Sequence, residues 1–183
     1  MRITKQALHA RWAMASLSAA IVYVVLVWWD LRLKALSGYG TADLQGFSTA
    51  AQYNEAFRVW PSRYAMRAGF SWGLDYLAMP LYAAAFFYSG ILAREAFVPR
   101  GSRLARILTA LSAVPIAGAA LDALENALQM SMMLSGPTDR TASIALTVSN
   151  AKWMAVYVGF LLLAAALFAR VLERRKRALK AGP

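Results

Sequence analysis

The sequence predicts an all-α integral membrane protein, a single four-transmembrane-helix bundle with a short amphipathic outer-loop helix. Three observations carry this. First, 60% of the 183 residues are hydrophobic and mean hydropathy is +0.44, and the apolar residues run in four stretches of membrane-spanning length. Second, the charges are concentrated between those stretches. Third, thirteen of the twenty basic residues fall in three segments: Arg2, Lys5 and Arg11; Arg94, Arg100, Arg103 and Arg106; and Arg170, Arg174, Arg175, Lys176, Arg177 and Lys180. Four spans would bring these segments to one side. The positive-inside bias makes that side the cytoplasm, with both termini in it, in a membrane of bacterial inner-membrane type. A net charge of +11 and a pI near 10.4 could suggest nucleic acid. The distribution assigns the charge instead to orientation and anionic headgroups, so membrane lipids, and no nucleic acid, are the expected partners.

The spans are expected at about 12–35, 68–93, 107–134 and 143–170, with an outer loop at 37–67 and a basic tail at 171–183. In the first, Trp12 to Trp29 is uncharged, and Trp28 and Trp29 suit a headgroup boundary. The basic lead-in also resembles the start of a cleaved signal peptide. The apolar run is long for one, however, and no small-residue cleavage site follows. Asp30 is read as the partner of Lys34, four residues on. In the outer loop Thr49 and Gln52 form a capping box. Ala50, Tyr53, Phe57 and Trp60 then recur at helical spacing, with Gln52, Asn54, Glu55 and Arg58 facing away, as in a helix lying on the membrane or capping the bundle mouth. Arg58, Arg63 and Arg67, with Trp60 and Tyr64 among them, make a basic rim that could steer an anionic group to a pocket below.

The second span carries Ser71, Asp75, Tyr82 and Ser89 on one face, and Pro80 is expected to kink it and free a carbonyl in the interior. The third span holds the most informative pattern. Asp122, Glu125, Asn126 and Gln129 stand at i, i+3, i+4 and i+7, one polar stripe about two turns long. Gly118 and Ala119 continue it with small side chains where something could come close. Pro115 precedes Asp122 on the same face. Ala119, Ala123 and Ala127 form a small-residue stripe suited to close packing, including a second copy of the chain or a partner membrane subunit. The fourth span contains Ser149, Asn150 and Lys152.

Depth brings these residues together. At 1.5 Å per residue from the outer ends, Asp75 lies about 10 Å deep, Glu125 about 13 Å, Lys152 about 15 Å and Asp122 about 18 Å. Ionisable groups at that depth are costly and should face an interior. Three carboxyls against one amine leave a surplus of negative charge. Some carboxyls keep a proton, an outer arginine folds in, or a cation completes the site. Acid–base chemistry needs a protonated carboxyl beside an ionised one. A hard divalent cation such as Mg2+ would also suit carboxylates with amide oxygens. With no cysteine, and His9 the only histidine, neither haem nor zinc is expected, and no metal ligands are assigned.

The D-x-x-E-N segment at Asp122 to Asn126 resembles in part the aspartate-rich motifs of membrane transferases that hold diphosphates through Mg2+. No second aspartate-rich segment accompanies it, and it assigns no family. Hydrolase, zincin and Walker sequences are absent. The reading that follows is a small membrane enzyme acting on an apolar or lipid-like molecule that enters from the outer half of the bilayer. Asp75, Asp122, Glu125, Lys152 and Tyr82 are its candidate catalytic residues, and Asn126, Gln129, Ser149, Asn150, Trp60, Arg63, Tyr64 and Arg67 its candidate binding residues. A proton- or cation-coupled transporter and a non-catalytic scaffold are the alternatives. The inner halves of the spans carry no ionisable group, which speaks against a through-path.

Overall fold

The computed structural model describes residues 4–99 and 101–181, with side chains through Arg175. Arg2 and Arg100 of the basic segments, the last two residues of the tail, and the side chains of Lys176, Arg177 and Lys180 lie outside the described residues. Helix α1 spans Lys5–Ser37, α2 Ala50–Arg58, α3 Ser62–Phe97, α4 Arg103–Ser135 and α5 Asp139–Ala181, with a 3-10 helix at Thr41–Gly46. No strand occurs among the described residues. The four long helices are long and apolar enough to cross a membrane. Thirty-three residues of α1 rise about 50 Å, more than the roughly 30 Å of a hydrocarbon core.

Local signals set the boundaries. Thr4 caps α1 by accepting the Ala7 N–H (3.2 Å), and Gly38 ends it in the left-handed region (φ 89°), where its N–H returns to the Lys34 carbonyl. Thr49 and Gln52 form the capping box of α2, and Ser102 caps α4 through the Ala105 N–H (3.1 Å). Both long helices that contain proline run unbroken. Pro80 is exposed, as is Tyr76 one turn earlier, so the carbonyl that Pro80 frees belongs to the outer face of α3. This corrects the expectation of a free carbonyl in the interior.

Helix α3 is the centre of the bundle. It packs on α1, α4 and α5, and α4 packs on α5. The shared interior therefore belongs to three helices rather than four. Helix α1 buries only Leu8, Trp12 and Leu33, and two indole hydrogen bonds hold it on α3: Trp12 to the Ser89 hydroxyl (2.8 Å) and Trp29 to the Arg67 carbonyl (3.0 Å). Small residues set the other spacings. A methyl group on Gly118 would lie 2.9 Å from the Ala155 Cβ, and a side chain on Gly159 would overlap the Phe86 ring, so these glycines let α5 approach α4 and α3. The space beside Gly118 is thus filled by α5. Of the alanine stripe, Ala127 is exposed, while the Ala123 carbonyl accepts the Tyr76 hydroxyl from α3 (3.0 Å).

The described basic segments meet at one end. Lys5 pairs with Glu173, the Arg170 guanidinium lies 5.5 Å from the Trp12 ring centre, and Arg94 donates across to Thr109 (2.8 Å). The opposite end is closed by residues 38–60. Asp30 accepts from the Thr41 N–H (2.5 Å) and hydroxyl (2.7 Å), whereas Lys34 pairs with Asp43 (2.6 Å). The expected Asp30–Lys34 pair is thereby replaced: the carboxylate anchors the 3-10 helix instead. Leu44, Tyr53 and Ala56 are fully buried, with Trp60 nearly so, over Trp72, Met132, Ala142 and Ala145. Tyr53 donates to the Leu44 carbonyl (2.9 Å), Trp153 to Gln45 (3.0 Å), and the Ala50 N–H to Asp139 (2.8 Å). Glu55 beside Tyr39, outside the spans, raises the pKa of the Tyr39 hydroxyl. Helix α2 thus caps the bundle mouth.

Replacing Asp30 by Ala strands the Thr41 N–H and leaves its hydroxyl only Ser71 as a partner, a loss of about 1–3 kcal/mol confined to the cap. Limited proteolysis of the purified protein should then cut within 38–60 faster than in the wild type, with the long helices still protected. An unchanged cleavage rate would show that Asp30 does not hold the cap.

Candidate functional site: a buried lysine–carboxylate network

Helices α3, α4 and α5 each bring polar side chains to one level of the interior. From α4 the i, i+3, i+4, i+7 spacing delivers Asp122, Glu125, Asn126 and Gln129, all buried, with Asp122 at 6% and Glu125 at 0% exposure. Helix α5 contributes Lys152 at 3% exposure and Ser149 at 1%. Helix α3 adds Asp75 and Tyr82, both half-buried, and Trp72.

The geometry is a set of pairs branching from Lys152, with Asn126 and Asp75 as a separate pair beside it. The Lys152 ammonium donates to Asp122 Oδ1 (3.0 Å) and also pairs with Glu125 Oε2. The Tyr82 phenol donates to Asp122 Oδ2 (3.0 Å). Gln129 donates to Glu125 Oε1 (2.9 Å) and accepts the Trp72 indole N–H (3.0 Å). The Asn126 amide donates to Asp75 Oδ2 (2.8 Å). A buried ammonium and two carboxylates are tolerable because they pair with one another and each carboxylate oxygen has a partner.

The convergence that the sequence implied for Asp75, Asp122, Glu125, Lys152, Tyr82, Asn126, Gln129 and Ser149 is therefore present. Trp72 was not singled out from the sequence. Its signal is its position three residues before Asp75, one helical turn along the same face. The other candidates lie elsewhere. Asn150 is exposed on the far side of α5 from Lys152, since neighbours in sequence are about 100° apart on a helix. Trp60 is part of the cap and donates to Ser37 (3.0 Å). Arg63 is exposed and lies 4.6 Å from the centre of the Tyr64 ring, and Arg67 lies 5.3 Å from that of Trp29. These arginines are held on aromatic faces at the perimeter, and the cap fills the mouth they were expected to rim. Ser71 and Ser89, on the polar face of α3, serve Thr41 and Trp12 respectively.

The donor set does not suit a hard cation. Asp122 and Glu125 are turned onto Lys152, and among the described residues no three His, Cys, Asp or Glu side chains gather as metal ligands. What the arrangement can do is hold two carboxylates rigidly and leave a third, Asp75, on a single amide. Asp75 and Tyr82 stand at i and i+7 on α3 and are less buried than Asp122, Glu125 and Lys152. The chain matches no protein-family model, no curated protein and no solved structure.

Truncating Lys152 to Met leaves Asp122 and Glu125 buried without a cation, at a cost of about 3–5 kcal/mol. The melting temperature in detergent should fall sharply, and adding Glu125→Gln to Lys152→Met should recover part of the loss. A melting temperature unaffected by Lys152→Met would mean that the ammonium does not hold the two helices together.

Proposed function

We propose that the chain is a small polytopic membrane enzyme whose acid–base group is Asp75, acting on an apolar or lipid-like molecule that enters sideways between α3 and α4. One observation supports this above the others. Asp122 and Glu125 share a lysine, but Asp75 is held only by the Asn126 amide and is half-open beside the Tyr82 phenol. In this reading Asp75 carries the exchangeable proton, and Tyr82, fixed on Asp122, positions or relays to a polar group of the substrate. Lys152 holds Asp122 in place through their ion pair. The cap keeps bulk water from the site, which strengthens each electrostatic contact inside. Lateral entry suits an apolar substrate, because the mouth is filled by Leu44, Tyr53 and Trp60. The protein sits in a bacterial-type inner membrane with its basic end and termini cytoplasmic and its cap outside, as the positive-inside bias favours.

One feature weighs against the transporter. No span has a charged residue between the network and the basic end: none lies between Asp75 and Arg94, between Arg106 and Asp122, or between Lys152 and Arg170. A second reading, a non-catalytic subunit, draws on the saturation of Glu125, Gln129 and Trp72, which fixes helix register whether or not chemistry occurs beside it.

The deciding experiment compares membrane lipids from cells expressing the wild type, Asp75→Asn or Tyr82→Phe, by untargeted mass spectrometry. Asp75→Asn keeps the shape and an acceptor for Asn126, so stability should change by less than about 1 kcal/mol. The lipid species that appear or vanish with the wild type should revert with Asp75→Asn. If wild-type and Asp75→Asn membranes match in every species, the enzyme reading falls and the subunit reading stands. Proton flux into proteoliposomes that Asp75→Asn abolishes would establish the transporter instead.

A further inference from the structure

We propose that a groove at the basic end, between the last turn of α3 and the first turns of α4, is a binding site for a singly charged phosphodiester, with a lipid headgroup as its source. The groove is open to the surface, has a volume of about 430 Å3 and is lined by Arg94, Glu95, Val98, Ala105, Arg106 and Thr109 among others. That volume is in the range of small-molecule sites. It is distant in sequence and along the helices from the carboxylate network, and no step proposed for Asp75 uses it.

The site is held in place before any ligand arrives. The Thr109 hydroxyl gives its proton to the Ala105 carbonyl (2.8 Å) and accepts from Arg94 Nη1 (2.8 Å), while Arg94 Nη2 donates to Glu95 (2.6 Å). The Arg94 side chain, 26% exposed, is thereby fixed across the gap between two helices. A guanidinium has five N–H donors in one plane, and these two contacts leave others for the oxygens of an anion. Arg106, three residues before Thr109 on α4, is exposed at the same groove and supplies a second cation. Two arginines against Glu95 leave one net positive charge among the described lining residues. One negative charge on a phosphodiester complements that sum, and paired oxygens suit the guanidinium fork. Val98 and Ala105 provide apolar wall for the glycerol and first methylenes. Basic pockets between spanning helices are where headgroups dock.

The test is native mass spectrometry of the full chain in neutral detergent with equimolar phosphatidylglycerol and phosphatidylcholine. The wild type should retain phosphatidylglycerol preferentially. Arg94→Gln and Arg106→Gln should each cut that preference about fivefold, the effect of one basic residue near an anionic headgroup. Arg103→Gln, at an exposed position outside the groove, should leave it unchanged. A preference that Arg103→Gln lowers as much as the other two, or no preference in the wild type, overturns the site. Inorganic phosphate added against chloride at equal ionic strength separates the sources. Displacement of the lipid by phosphate alone assigns the same groove to free phosphate and overturns the headgroup as its source, whereas retention of the lipid supports it. Should Arg94→Gln fail to fold, Arg106→Gln carries the comparison, because among the described residues the exposed Arg106 side chain makes no hydrogen bond to α3.

Discussion

The ammonium of Lys152 is the constraint to which the rest of the interior is adjusted. It must meet two carboxylates on α4 from a position on α5, so the two backbones have to come close. Gly118 permits that approach, since a methyl group there would collide with Ala155. Once the pair is made, the second oxygens of Asp122 and Glu125 still need partners, and they receive Tyr82 and Gln129. Gln129 in turn needs an acceptor's complement and takes the Trp72 indole. A single buried charge thus propagates through hydrogen bonds into α3, and each link is an obligation because an unpaired polar group in a low-dielectric interior costs more than a paired one returns.

Trp72 also belongs to the apolar cluster under the cap, so cap and network are parts of one packed column. The rings of Tyr53, Phe57, Trp60 and Trp72 follow one another at centre separations of about 6 Å, close enough for edge-to-face attraction to add to burial. On top, Asp30 and Asp139 supply charges to backbone N–H groups at the starts of the 3-10 helix and α2, which a short helix cannot satisfy internally. The cap is therefore tethered to α1 and α5 by carboxylates, and to α3 by aromatic contact. Closure of the mouth follows from three independent attachments.

Much of this was legible in the sequence, and the parts that were not share a cause. The spans, the basic end, the capping box at Thr49 and the polar stripe of α4 are local patterns with helical period, and periodicity reports local structure well. The convergence of Asp75, Asp122, Glu125 and Lys152 followed from depth counting, because the span ends fix the level of every residue. Depth does not fix azimuth. Asn150 has nearly the depth of Lys152 but points outward, and Pro80 faces away from the interior it was expected to open. Pairings distant in sequence were the other gap. Asp30 with Thr41, or Gly118 with Ala155, become visible only when the chain is folded. Helix α1 illustrates the point from the opposite side: an apolar stretch with no polar stripe announces that it can span, but not which neighbour it will touch.

The network is asymmetric. Its Glu125 end is saturated and fully enclosed, whereas its Asp75 end rests on one amide and is half-buried. A helix bundle that needed only a fixed register would gain nothing from the loose end, since Asp75 contributes no cation pairing and Asn126 could be replaced by an apolar residue together with it. Placing a third carboxyl beside two others raises the electrostatic cost of the interior at every position where all are charged. The arrangement fixes two carboxylates on Lys152 and keeps the third, Asp75, in a separate pair with Asn126 at a half-buried position. That division leaves one carboxyl with fewer partners than its two neighbours, the difference on which the proposed role of Asp75 rests.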